Sequence, residues 1–182
     1  MSLLNRGIAI LVGMAALAQL WLWYPQLPAI MPSHFNAQGQ VDGEMSKFGF
    51  VGLIAAIQVL ILPGFYLLGK GLGKLPNQMI NLPYRQQWLA PPHREATLAR
   101  LLDMLLACGW TTSLLMMGIF QLTAEFAVGR RDSISPWADY LMIGYLVLLV
   151  VWVCAGMARF IRPPRSGGED PSLIAEGAQE IG

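Results

Sequence analysis

The sequence predicts an all-α integral membrane protein with four transmembrane helices and a short, turn-rich extracytoplasmic loop after the first helix. Hydrophobic residues make up 55% of the 182 residues and charged residues only 13%, whereas about a quarter is usual for soluble domains. Four stretches without Asp, Glu, Lys or Arg are each long enough to cross a hydrocarbon core of about 30 Å. Because these stretches are unbroken and do not alternate, they predict helices rather than barrel strands.

Charge-free stretches alone do not show whether the first span is cleaved or where the third helix begins. The first span carries an Ala16-Leu17-Ala18 site like that of a signal peptide, but its apolar run continues through Trp23, which favours an uncleaved helix. The third helix is expected to begin before its span, at Pro91 or Pro92, where a missing N–H costs little. The transmembrane domain is residues 1–162, with spans at about 7–26, 48–69, 101–125 and 138–160.

The distribution of positive charge predicts the orientation. With both termini inside, nine of the twelve Lys and Arg residues lie on the inside, and cytoplasmic loops carry such an excess. We therefore expect both termini in the cytoplasm and the lipid bilayer as the first partner. Residues 163–182 are polar and predict a disordered cytoplasmic tail. The net charge of +1 offers no basic excess for nucleic acid.

Small and polar residues within the spans predict how the helices pack. Two pairs of small residues four apart would let backbones approach closely: Ala9 with Gly13, and Gly52 with Ala56. Gly69 is expected only to loosen the end of the second helix. Gln19 and Gln58 lie inside spans and are expected to hydrogen-bond to neighbouring helices.

A second polar group borders the third and fourth spans. Gln121 and Glu125 are one turn apart on one helix face, and with Asp139 they would form a polar cluster that opens outward. Acids inside a membrane are candidates for function. The simpler interpretation is a set of interfacial charges, with Arg130 or Arg131 as partners of the acids.

The loop after the first span is dense in polar and turn-forming residues beside an aromatic belt. The candidate ligand-binding residues are His34, Asn36, Gly39 and Asp42. His34 and Asn36 would supply hydrogen bonds, Gly39 a turn at positive φ, and Asp42 a charge or an acceptor. An equally open alternative is that these residues only fold the loop over the helix ends. A metal site with Glu44 is less favoured because the spacing matches no zinc pattern, and we expect neither metal nor cofactor.

The sequence is compatible with more than one class of function. No Ser-His-Asp set, phosphate loop or His-Glu-x-x-His pattern is present, so we expect no enzyme. The leading hypothesis is a binding or sensing protein that recognises a ligand, a peptide or a membrane-protein partner with its outer loop. A small transporter or transporter accessory subunit is the alternative, and it is weakened because the acids lie at the edges of the spans. Four spans without a large polar interior also allow a homo-oligomer.

Two strings carry a resemblance to a known family. LPAIMPSHFNAQGQVDGEMSK, after the first span, resembles the signature of a bacterial membrane family, the domain of unknown function numbered sixteen forty-eight. The matching positions are Pro32, His34, Phe35, Asn36, Gly39, Asp42 and Lys47. NLPYRQQWLAPPHR resembles the inner-loop pattern of the same family, at Asn81, Pro83, Trp88 and Leu89.

The resemblance covers nearly the whole chain, to about Arg162. It implies an integral protein of the bacterial cytoplasmic membrane with no established reaction. The best-known relatives are SdpI-like immunity proteins, which protect a producer cell from its own secreted toxic peptide and relay its presence to a regulator. Those proteins carry additional spans, whereas this sequence predicts four.

Overall fold

The computed structural model describes residues 3–36, 38–134 and 136–164. Within them the elements are α1 (Leu3–Trp23), β1 (Ile30–Phe35), β2 (Val41–Ser46), α2 (Lys47–Leu72), α3 (Arg85–Trp88), α4 (Pro91–Ala127) and α5 (Trp137–Ala158). Short 3₁₀ turns lie at Tyr24–Gln26 and Asn77–Met79. The predicted disorder of residues 163–182 falls almost entirely outside the described residues.

Among the described residues, four helices are long and apolar enough to cross a membrane: α1 with its 3₁₀ turn, α2, α4 and α5. The predicted fold class is therefore confirmed, and the chain is a multi-pass membrane protein. Helix α4 begins at Pro91, as the two prolines predict, and has 37 residues. At 1.5 Å per residue it is about 55 Å long, so it extends well beyond a hydrocarbon core of about 30 Å.

Helix α4 is the centre of the bundle. It packs against α1, α2 and α5, and 39% of its membrane-spanning window is buried, against 0% for α5. Helix α5 has no buried residue. Its apolar surface is therefore available to lipid on most sides.

Polar side chains tie each neighbouring helix to α4. Gln58 of α2 donates to the Ser113 carbonyl at 3.3 Å, and the Ser113 hydroxyl donates back to Gln58 Oε1 at 2.5 Å. Gln19 of α1 donates to the Met117 carbonyl at 3.1 Å. These contacts confirm the interhelical hydrogen bonding predicted for both glutamines. Such bonds are among the interactions that drive the association of helices in lipid.

The segment between α1 and α2 differs from the prediction. A turn-rich loop is expected from the sequence, but residues 30–46 form an antiparallel β-hairpin. Strand propensity is weak here because Pro, Gly and Asp are poor strand formers. Tertiary contact compensates, since Met31 is fully buried in a core cluster with Trp23, Phe50 and Phe120. We call this side of the bundle the hairpin end.

A second core cluster lies at the opposite end. There the segment between α2 and α4 buries Ile80, Leu82 and Leu89 against Phe160, just past α5. The long inner loop expected from the sequence is thus a packed cap rather than an open connection.

Candidate functional site at the hairpin end

The hairpin brings His34 and Asp42 together. Strand pairing puts Pro32 opposite Glu44, His34 opposite Gly43 and Phe35 opposite Val41, which leaves Ser33 and Asp42 as the extra residues of two bulges. Bulges bend a strand and redirect its side chains. The result is a contact between His34 Nδ1 and Asp42 Oδ1 on the surface, with side-chain exposures of 71% and 43%.

Gly43 is a site residue that the sequence analysis missed. A Cβ built at Gly43 would lie 3.0 Å from His34 Cβ and 3.3 Å from Ser33 Oγ. A Cβ here would press on His34, so glycine is the residue that best leaves His34 its place beside Asp42. The signal in the sequence was a lone glycine between two acids, Asp42 and Glu44, inside a stretch that alternates polar and apolar residues.

Asn36 and Gly39 build the turn of the hairpin. Asn36 Oδ1 accepts the backbone N–H groups of Gln38 at 3.0 Å and Gln40 at 2.9 Å, as in an Asx turn. Gly39 has a φ of 76°, a conformation that favours glycine. Of the four candidate residues, these two shape the loop, whereas His34 and Asp42 face solvent.

The hairpin is fixed to the bundle both at its base and at Phe35, next to its turn. Lys47 Nζ donates to the Leu27 carbonyl at 2.9 Å and lies 4.9 Å from the centre of the Tyr24 ring. Phe35 meets Phe126 of α4 edge to face, with ring centres 5.4 Å apart. Ser46 caps α2, since its hydroxyl accepts the Gly49 N–H at 3.1 Å.

The outward face of β2 is acidic. Burial alternates along the strand, with Asp42, Glu44 and Ser46 exposed and the residues between them partly buried. Alternation of this kind is what a strand with one solvated face produces. Two carboxylates of β2 are therefore exposed to solvent.

A polar network lies below the hairpin and contains Gln121 and Glu125. Gln121 Oε1 accepts hydrogen bonds from Gln19 Nε2 at 3.0 Å and Trp23 Nε1 at 2.9 Å, and Gln121 Nε2 donates to Glu125 Oε1 at 2.8 Å. Glu125 Oε2 pairs with Arg131 Nε at 2.5 Å. The cluster proposed from the sequence is larger than expected, because α1 contributes Gln19 and Trp23.

Arg131 and Asp139 have different positions relative to this network. A cavity of about 410 Å³ is lined by Gln121, Glu125, Arg131, Trp137 and Tyr140, together with apolar residues. Asp139 lies in the first turn of α5 but is not one of the residues that line this cavity. Arg131 is the loop residue that pairs with Glu125.

Arg130 is engaged on the other side of the network. Its guanidinium donates to Gln26 Oε1 at 3.0 Å and lies 5.1 Å from the centre of the Trp23 ring. Arg130 and Arg131, in the segment between α4 and α5, are thus both engaged by residues of the bundle. In these contacts neither arginine pairs with Asp42 or Glu44 of β2.

The inner-loop motif residues lie at the opposite end and apart from the hairpin. Trp88 Nε1 donates to the Arg162 carbonyl at 3.1 Å, and its ring meets Phe160 at 5.2 Å. Asn81 and Pro83 are exposed. Tyr84 has a φ of 51°, which is uncommon for a residue other than glycine. Trp88 thus holds the cap to the end of α5.

No group of three or more His, Cys, Asp or Glu side chains that could hold a metal ion occurs within residues 3–36, 38–134 and 136–164. The hairpin end offers an exposed imidazole–carboxylate pair and two exposed carboxylates on β2. The pocket that Gln121, Glu125 and Arg131 line in part is mainly apolar.

The fold and this surface define a multi-pass membrane protein with a folded hairpin between its first two membrane helices. A family model described as Domain of unknown function (DUF1648) matches residues 10–59, that is, most of α1, the hairpin and the first half of α2. This part of the chain is a DUF1648 domain, and the resemblance is confirmed there. No curated protein and no solved structure matches the chain.

Proposed function

We propose that this protein is a non-enzymatic membrane protein that binds a cationic peptide segment with its hairpin, in a sensing or immunity-type role. The observation that carries the proposal is the contrast between the base and the face of the hairpin. The base is held by buried Met31 and by Lys47, whereas His34 and Asp42 are exposed on the face. A rigid, exposed polar set binds with little ordering cost.

The chemistry of the face favours a cationic partner. Asp42 and Glu44 are both exposed on β2, and carboxylates form their strongest hydrogen bonds with cationic donors. His34 orients the Asp42 carboxylate through Nδ1, and Gly43 leaves room for that contact. Asn36 and Gly39 contribute by fixing the turn rather than by touching the peptide.

The test is a binding titration of a synthetic Lys/Leu peptide against the full chain in a neutral detergent. We expect Asp42→Asn and Glu44→Gln each to weaken binding by about threefold to tenfold, because each removes a charge-assisted contact of about 1 kcal/mol. Gly43→Ala should weaken it as well, by displacing His34. Asp42→Asn and Glu44→Gln should not shift the free energy of unfolding by more than about 0.5 kcal/mol, as is usual for surface changes.

Glu95→Gln is the matched control, because it removes an exposed acid from the opposite end of the same chain. Its binding should equal that of the wild type. Equal weakening by Glu95→Gln and Asp42→Asn would mean unspecific attraction to the chain. Unchanged binding in Asp42→Asn, Glu44→Gln and Gly43→Ala would assign the hairpin a purely structural role.

We also propose that the hairpin faces the outside of the bacterial cytoplasmic membrane and that both termini are cytoplasmic. The excess of Lys and Arg at the end opposite the hairpin supports this orientation. Alkaline phosphatase, which is active only outside, should be inactive when fused after Pro164 and active when fused after Gly129. The reverse pattern would overturn the orientation.

A further inference from the structure

A groove opens at the end of the bundle opposite the hairpin. It is formed by residues of α1, α4 and α5, with the central helix α4 as its floor. Its volume is about 410 Å³, within the range of about 300–1,000 Å³ that is usual for ligand pockets. It lies at the far end of the bundle from the acidic face of the hairpin, so it is a separate feature.

The lining changes from charged to apolar along the helices. Arg159 lines the groove just past the end of α5, and Arg100 lines it nine residues after the start of α4, at the edge of the predicted span. Trp110 and Trp152 line it ten and seven residues further into the span. At 1.5 Å per residue the indole rings lie about 10–15 Å deeper than the arginines. A lining of this kind fits an amphiphile with an anionic head and an apolar tail.

The groove can be entered from the bilayer. Helix α5 has no buried residue, and its residues Trp152 and Ala155 are exposed while they line the groove. At Gly156 the helix comes close to α4, since a Cβ there would lie 2.6 Å from Met104 Cε. A lipid can therefore reach the groove sideways while α4 and α5 remain in contact.

The walls of the groove are held in place by Asn5. Its Nδ2 donates to the Asp103 carbonyl at 2.8 Å, and its Oδ1 accepts the Trp110 Nε1–H at 2.8 Å. These two bonds join the start of α1 to α4. The apolar part of the groove is thus formed before a ligand arrives, which lowers the ordering cost of binding.

The charge at this end is complementary to an anionic head. Arg100, Arg159 and Asp103 line the groove, which leaves one net positive charge. Lys70 and Lys74 lie at the same end of the bundle. Basic pockets between transmembrane helices on the cytoplasmic side are known to take anionic lipid headgroups.

We propose that this groove binds one anionic glycerophospholipid from the leaflet on this side of the membrane. Arg100 and Arg159 hold the phosphate, and one acyl chain lies along Trp110 and Trp152. The site does not depend on the binding of a peptide at the hairpin, and either proposal stands if the other fails.

Native mass spectrometry of the purified full chain tests the lipid site. Phosphatidylglycerol and phosphatidylcholine with the same acyl chains are titrated separately, and we expect tighter retention of phosphatidylglycerol. Arg159→Gln should weaken phosphatidylglycerol about fivefold and phosphatidylcholine less, because the choline cation offsets the charge of its phosphate, whereas Arg159→Lys should keep most of the preference. Ala155→Phe should fill the apolar part and weaken both lipids, and Ala155→Leu serves if the Phe variant does not fold.

Lys74→Gln is the control, since it removes one charge at the same end but outside the groove, and it should bind both lipids as the wild type does. Equal retention of the two lipids by the wild type would overturn the proposal. So would equal weakening by Lys74→Gln and Arg159→Gln, or undiminished binding by the Ala155 variant. Stabilisation of the protein by inorganic phosphate to the same extent as by phosphatidylglycerol would identify a site for free phosphate instead.

Discussion

Replacing Gly69 with Val should destabilise the protein by about 1–3 kcal/mol, the usual cost of overpacking a close contact. Gly69 is buried where α2 crosses α4. A Cβ at this position would lie 2.3 Å from Leu102 Cδ1 and 3.1 Å from Leu102 Cα. The side chain of Leu102 can rotate away, but its Cα belongs to the backbone of α4. The two helices would have to separate.

Gly52→Val is the matched control in the same helix, because a Cβ at Gly52 meets nothing within 4 Å. Both substitutions replace a helical glycine with the same residue, so differences in helix propensity cancel. The free energy of unfolding in mixed micelles, followed by circular dichroism, measures both variants. Equal stability of the two variants would show that α2 and α4 are not in close contact at Gly69.

The two glycines also show what the sequence could not reveal about packing. The Gly52–Ala56 pair predicts a close approach of helices, yet the space beside Gly52 is open. Gly69 was expected only to loosen the helix end, yet it lies directly against Leu102. Small-residue spacing identifies a narrow helix face but not the partner that meets it, because the partner is set by the packing of the whole bundle.

The membrane helices were predictable because a single physical cause dominates them. Lipid excludes charge over about 20 residues, and the four charge-free stretches therefore match α1, α2, α4 and α5. Gln19 and Gln58 were predictable for the same reason, since an amide in lipid must find a partner. The prolines at the start of α4 added a boundary that charge alone misplaced.

The hairpin was predictable only in part. Its turn at Asn36 and Gly39 follows from local chemistry, and the structure agrees. The strands of the hairpin do not follow from local chemistry, because Pro32 and Gly43 lower strand propensity. Their pairing depends instead on the burial of Met31 in the bundle. The contact of His34 with Asp42 requires two bulges, and no local pattern fixes where bulges fall.

The polar network was underestimated for a related reason. Gln121 and Glu125 are one turn apart, so their contact could be predicted from helix geometry. Gln19 and Trp23 join them from α1, about a hundred residues earlier in the sequence. Contacts of that range depend on the rotation of α1 about its axis, which a single sequence does not determine.

Replacing Gln121 with Leu should therefore destabilise the protein by about 2 kcal/mol. The amide makes three side-chain hydrogen bonds, with Gln19, Trp23 and Glu125, and such bonds are worth about 0.6 kcal/mol each on average within membranes. The loss would also leave the Gln19 and Trp23 donors without this acceptor. The same unfolding titration in mixed micelles measures the effect.

Two further variants show whether this loss comes from ties between helices. Thr123→Val is the control, because among the described residues the Thr123 hydroxyl donates to Ile119 of its own helix, at 2.9 Å. A bond of this kind within one helix adds little to stability, so the cost of this change should stay well below that of Gln121→Leu. Gln19→Leu combined with Gln121→Leu should cost less than the sum of the single changes, since one bond is shared. Strict additivity, or a Gln121→Leu effect no larger than that of Thr123→Val, would mean that these amides do not hold α1 to α4. The hairpin would then depend for its position over the bundle on its apolar base, Lys47 and the contact of Phe35 with Phe126.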